Sequence, residues 1–115
     1  MISRFEVSQV VNDALKQKIK KLHPYSLCFN LDPSFDMYTS VHDLTTVAKN
    51  AAESHDMILL KLCMNVAERL YKDGERMVQG VMENIFIYEL SSRVSKVMLP
   101  KAFYDVYLKQ VMNSN

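Results

Sequence analysis

His42, His55, Cys28 and Cys63 are the side chains from which a soft-metal or nucleophilic centre would be assembled in this chain. Their spacing argues against one. There is no HExxH, no CxxC and no pair of histidines one helical turn apart, the arrangements that put two ligands on one side of a metal. His42 and His55 fall at two separate helix starts, where they read as solvated neighbours of amino-terminal caps. Cys63 stands among Leu59, Leu62 and Val66 and reads as a small buried hydrophobe, inert unless a cation lowers its pKa. Glu68, Glu83 and Glu89 are the carboxylates that two facing helices would offer a dimetal centre. Such centres place a histidine three residues after a glutamate, and none is present here. Gly74 and Gly80 are too isolated to form a phosphate-cradling loop. A small metal-dependent or hydrolytic enzyme would need His42, His55 or Cys63 to converge with a carboxylate in a cleft. The sequence therefore predicts no catalytic residue, no metal and no cofactor.

Lys16, Lys18, Lys20 and Lys21, with Arg4 and His23 nearby, form the one concentrated basic patch. These residues straddle several faces of a helix and are diluted by Glu6 and Asp13, so the patch reads as solvated surface and not as a nucleic-acid site. The Asp73-Gly74 turn does not suit a DNA-reading helix-turn-helix. The helix after it carries Val78, Val81, Met82 and Ile85, which demand burial and cannot reach base edges. Lys+Arg 14 against Asp+Glu 13 gives a net charge of +1, too little for a global field toward nucleic acid or anionic lipid.

The elements that position these residues follow from periodicity. A length of 115 residues is one domain, and 49% hydrophobic content with Gly 2 and Pro 3 favours uninterrupted helix. Residues 1–23 read as an amino-terminal helix. Ser3 and Glu6 are spaced as a capping box, and Val7, Val10, Val11, Ala14, Leu15 and Ile19 form the apolar stripe. Residues 24–39 read as a packed loop, since a lone strand would have no partner for its backbone groups. Residues 40–113 form the helical core. Its first helix starts near Ser40, and Ser54-His55-Asp56 breaks it from a helix that is apolar round most of its circumference and hence central. Gly74 suits a left-handed closing residue. The next helix, from about Glu75 to Val97, is the longest, and Gly80 inside it implies close approach by a neighbour. Pro100 opens a last helix carrying Phe103, Val106, Tyr107, Leu108 and Val111. The fold class is all-α, an antiparallel bundle of four or five helices in a single domain, 1–115.

Asp73-Gly74-Glu75, then Met77, Val78, Val81, Asn84 and Ile85, Tyr88-Glu89-Leu90 and Leu99-Pro100 resemble a family of small, uncharacterised bacterial helical proteins. The resemblance runs from about Val41 to Val111. It implies a central HEAT-like helical hairpin and brings no assigned activity and no catalytic residue with it.

Two cysteines without a framework and an amino terminus that breaks early into polar residues lead to an expectation of a reduced, cytoplasmic chain. The longest apolar runs, Met57 to Leu60 and Ile85 to Tyr88, are far short of a membrane span. Eight methionines and six tyrosines read chiefly as core filling, and those left exposed would furnish an adaptable contact surface. The expected role is a non-enzymatic interaction module that binds a protein partner or a second copy of itself as a homodimer. It has no nucleic-acid or membrane partner, and Met98, Phe103, Tyr104, Tyr107 and Tyr88 are its candidate anchors. An immunity or antitoxin-like inhibitor of a bacterial effector is the alternative.

Overall fold

The computed structural model describes residues 1–22, 33–90 and 103. Its elements are α1 (Val7–Leu22), α2 (Pro33–Glu53), α3 (Met57–Asp73) and α4 (Arg76–Val81). A π-helical stretch (Met82–Ile87) and α5 (Tyr88–Leu90) continue α4 as one rod, because Val81 and Tyr88 on either side of the stretch keep right-handed helical angles. The fold is all-α. The described residues contain no strand, only an isolated parallel bridge between Ile2 and Gly74.

α1 is entered through Ser3 and Glu6. The Glu6 carboxylate accepts from the Ser3 N–H (3.3 Å) and hydroxyl (3.0 Å), the reaching-back half of a capping box. Val7, Val11 and Leu15 are buried at intervals of four. Leu15 departs from helical angles (φ −127°, ψ 24°), so the lysine-rich second half of α1 leaves on a kink.

α2 corrects the expected loop 24–39, since helix already begins at Pro33, almost two turns before Ser40. Proline at the first helical position loses nothing, because that N–H has no intrahelical acceptor. Met37, Val41, Leu44, Ala48 and Ala51 then alternate intervals of four and three, and all are buried. Thr45 is buried too and spends its hydroxyl on the Val41 carbonyl (2.7 Å). α2 packs against α1, α3 and the α4–α5 rod, so it is the central helix. α3, expected at the centre, buries Leu60, Cys63, Met64, Val66, Ala67 and Leu70, packs Leu59 and Tyr71 partly against the core and leaves Met57, Ile58 and Leu62 exposed.

Gly74 is extended (φ −75°, ψ 149°), not left-handed as expected. What it supplies is space. A Cβ there would overlap the Leu70 carbonyl oxygen and lie 2.7 Å from Val78 Cγ1. Gly80 was expected to admit a close neighbour, yet a Cβ built on it meets nothing within 4 Å. The left-handed residue is His55 (φ 59°) in the other turn.

The π-helical stretch was not anticipated. Val78, Met82, Phe86 and Leu90 are all buried at strict intervals of four. In an α-helix of 3.6 residues per turn, that spacing drifts by about 40° per step. The wider π turn removes part of the drift and keeps all four on the core side. Phe103 completes this core, edge-on to Tyr71 (5.1 Å between ring centres) and 6.0 Å from Phe86.

Candidate functional site

The residues singled out for chemistry do not gather. His42 is exposed in the middle of α2, not at a helix start as expected, and about 17 Å of helix rise separates its level from the end of that helix, beyond which His55 lies. Cys63 is fully buried. Burial, and secondarily the Asp56 carboxylate, push its thiol up to about 12, so it stays a neutral, unreactive thiol near neutral pH. The three carboxylates face three different partners. Glu83 accepts from the Tyr71 hydroxyl (2.7 Å), Glu89 pairs with Lys49 (3.0 Å) and Glu68 pairs with Lys72 one turn along α3 (3.0 Å). Among the described residues, no group of three or more His, Cys, Asp or Glu side chains is placed to hold a metal ion. Cys28 lies outside the described residues.

The expected interaction anchors divide. Phe103 is a correction: it is 0% exposed and serves the core, so it offers no contact surface. Its apolar ring was assigned to a surface because the rings that cover it, Tyr71 and Phe86, are distant in sequence. Tyr88 is 66% exposed on α5. Met98, Tyr104 and Tyr107 lie outside the described residues.

The surface that does stand out lies at the corner where α1, α2 and α3 meet. The sequence builds it in three steps. α2 ends in a Schellman closure, with the Asp56 N–H donating to the Ala51 carbonyl (2.9 Å) and the His55 N–H to the Ala52 carbonyl (3.3 Å). Asp56 at once caps α3, its carboxylate accepting from the Leu59 N–H (3.1 Å). α3 therefore starts with Met57 and Ile58 on the rim of the molecule.

Beside this turn is a shallow groove of about 230 Å³. Val47, Ala51 and Leu59 contribute apolar lining, and Lys18 and Lys21 of α1 and Asp56 of the turn contribute charge. Asn50 and Ser54 also line it; the Ser54 hydroxyl is already spent on the Asn50 carbonyl (2.9 Å). The groove continues into an exposed apolar lip. Ile58 is 87% exposed, Leu62 is exposed one turn further along the same face of α3, and Met57 is exposed at the start of the helix. Lys18, Lys21, Lys61 and Arg69 make no hydrogen bond or ion pair among the described residues.

The sequence reading missed Met57, Ile58 and Leu62 because it took a wide apolar stripe as a sign of a covered helix. The available signal was the excess itself. A helix with one buried face needs a stripe of little more than 100°, and the residues beyond that stripe have to be covered by something else.

No described helix is long and apolar enough to cross a membrane. The architecture and its corner groove define a small all-α domain without an assembled reaction centre among the described residues. The chain belongs to the family described as a domain of unknown function, DUF7674, which matches residues 9–113. No curated protein and no solved structure matches it.

Proposed function

We propose that the protein is a non-enzymatic interaction module that docks another protein at the α1–α2–α3 corner. The observation that carries this reading is Ile58, a large apolar side chain 87% exposed at the edge of a groove, with exposed Leu62 one turn further along the same helix face. Single exposed hydrophobes are ordinary, whereas two that share one helix face next to a concave surface mark a contact site. The core is filled without them. The resemblance supports further parts of the same reading, a bacterial protein whose α3 and α4–α5 rod form a HEAT-like hairpin, and two cysteines without a framework support a cytoplasmic one. Tyr88 on α5 is a secondary contact under this reading.

A photo-crosslinking residue placed at Ile58 in the full chain, expressed in its native host, tests the reading. We expect a discrete protein adduct that the same residue at exposed Asn12 on α1 does not form. Identical adducts at both positions, or none at Ile58, would refute it.

A further inference from the structure

We infer that the segment received at this corner is an acidic amphipathic helix of a different protein, with an apolar stripe bordered by carboxylates on both sides. This rests on the interaction reading above and adds the chemistry of the partner. The order of side chains round α3 carries it. At 100° per residue, a path from Leu59 on the groove side over the solvent face meets Leu62, then Ile58, then Asn65, then Lys61. Across the groove from Leu59 stand Lys18 and Lys21 on the second half of α1. Over the first turns of α3 the surface is cationic, apolar and cationic in cross-section, and Arg69, whose angle lies between those of Leu62 and Ile58, closes the apolar stripe with positive charge about two turns beyond Leu62.

The cations are available and the local anions are engaged. Lys18, Lys21, Lys61 and Arg69 have no partner among the described residues. The Asp56 carboxylate caps α3, Glu68 holds Lys72, and Glu53 has an interaction of its own. A helix laid in a groove presents apolar anchors at intervals of three and four, and its flanking positions meet the two walls. Carboxylates at those flanks are complementary to both walls.

A second copy of this chain fits poorly. A two-fold interface sets a patch against itself, and here that places unpaired lysines of both protomers together. Nucleic acid is disfavoured because the lip offers aliphatic side chains and no aromatic ring for base stacking.

The test uses two fluorescein-labelled helical peptides with one leucine stripe, the first flanked by glutamates and the second by lysines, titrated with the full chain by fluorescence anisotropy. We expect the acidic peptide to bind at least tenfold more tightly than the basic one, and its affinity to fall as salt screens the contact. Ile58→Ser should weaken it at least fivefold. The double variant Lys21→Glu, Lys61→Glu should reverse the preference between peptides, and thermal melts of both variants check that they fold. Equal binding of the two peptides, no binding of the acidic one, an unreversed preference, or equal competition by a single-stranded oligonucleotide or phosphatidylserine vesicles would overturn the inference. The crosslinking at Ile58 separates the two levels of failure. An adduct there whose captured segment is neutral or basic sinks the acidic-helix inference alone, whereas absence of any adduct sinks the interaction reading beneath it.

Discussion

The two turns of the α2–α3–α4 succession solve one problem in opposite ways. Each must end a helix and start another within a few residues, leaving backbone groups that need partners. The α2–α3 turn finds them locally, through the left-handed His55, the paired bonds to Ala51 and Ala52, and the Asp56 cap. The α3–α4 turn finds them in the far amino terminus. The Ile2 N–H donates to the Asp73 carbonyl (2.6 Å), the Glu75 N–H donates to the Ile2 carbonyl (2.8 Å), and the Glu75 side chain accepts from the Arg4 N–H (3.1 Å). Gly74 is consequently buried beside residues 2–4, with Ile2 in the core cluster. A turn that satisfies its own backbone needs no cover for its polar groups, so nothing in its hydrogen bonding accounts for the apolar residues left exposed around it. This is why exposure at Met57 and Ile58 argues for a partner, while Gly74 and Ile2 argue only for architecture.

The comparison breaks most severely at the covered turn. Ile2→Ala should cost about 3 kcal/mol, as for other truncations of buried aliphatics. Chemical denaturation would measure it, and a loss within experimental error would mean that the amino-terminal strap is ornamental. Gly74→Ala comes next, at about 2 kcal/mol of overpacking against the Leu70 carbonyl and Val78. If it proved neutral, the backbone there could shift freely, and the tight closure attributed to this turn would be wrong.

At the self-sufficient turn the expected effects are smaller and differ in sign. Asp56→Ala removes the bond to the Leu59 N–H and should cost about 1 kcal/mol. His55→Gly should stabilise by about 0.5 kcal/mol. A left-handed L-residue is penalised by about 1–2 kcal/mol, and glycine's greater loss of freedom returns about 0.5–1 kcal/mol of that. Paired thermal melts of the two variants moving in the same direction would contradict the geometry of this turn.

How much of this was readable beforehand depended on the range over which each cause acts. The buried faces of α1, α2 and α3, the Ser3–Glu6 box and the Asp56 cap are short-range, and periodicity and cap chemistry show them. Pro33 was also a local signal, but it fell inside the irregular segment 24–39, which read as a packed loop. Gly74 was recognised as a turn residue for the wrong reason, because nothing nearby in sequence says that Ile2 will lie against it. The π-helical stretch was encoded in the four-residue spacing of Val78, Met82, Phe86 and Leu90, a pattern easily absorbed into an ordinary helical stripe. Which apolar side of α3 is left open, and whether Phe103 faces core or solvent, depend on how whole helices are arranged around one another. No local pattern carries that information. The candidate site was legible only in its parts, Lys18 and Lys21 as charge and Leu59 as apolar stripe, and not as one corner.

The smallest expected effect on stability sharpens the comparison most. Ile58→Ser should change unfolding free energy by less than about 0.5 kcal/mol, the ordinary range for surface substitutions. A buried isoleucine loses its transfer free energy when truncated, but Ile58 already meets water in the free protein, so little burial is there to lose. The same substitution at a contact site still weakens association, because the apolar area it would bury is gone. A destabilisation of Ile58→Ser comparable to that of Ile2→Ala would show that the lip is core in disguise, covered in solution by part of the chain itself. A neutral melt combined with lost peptide binding would separate the two turns by purpose, one built to hold the fold and the other to present a surface.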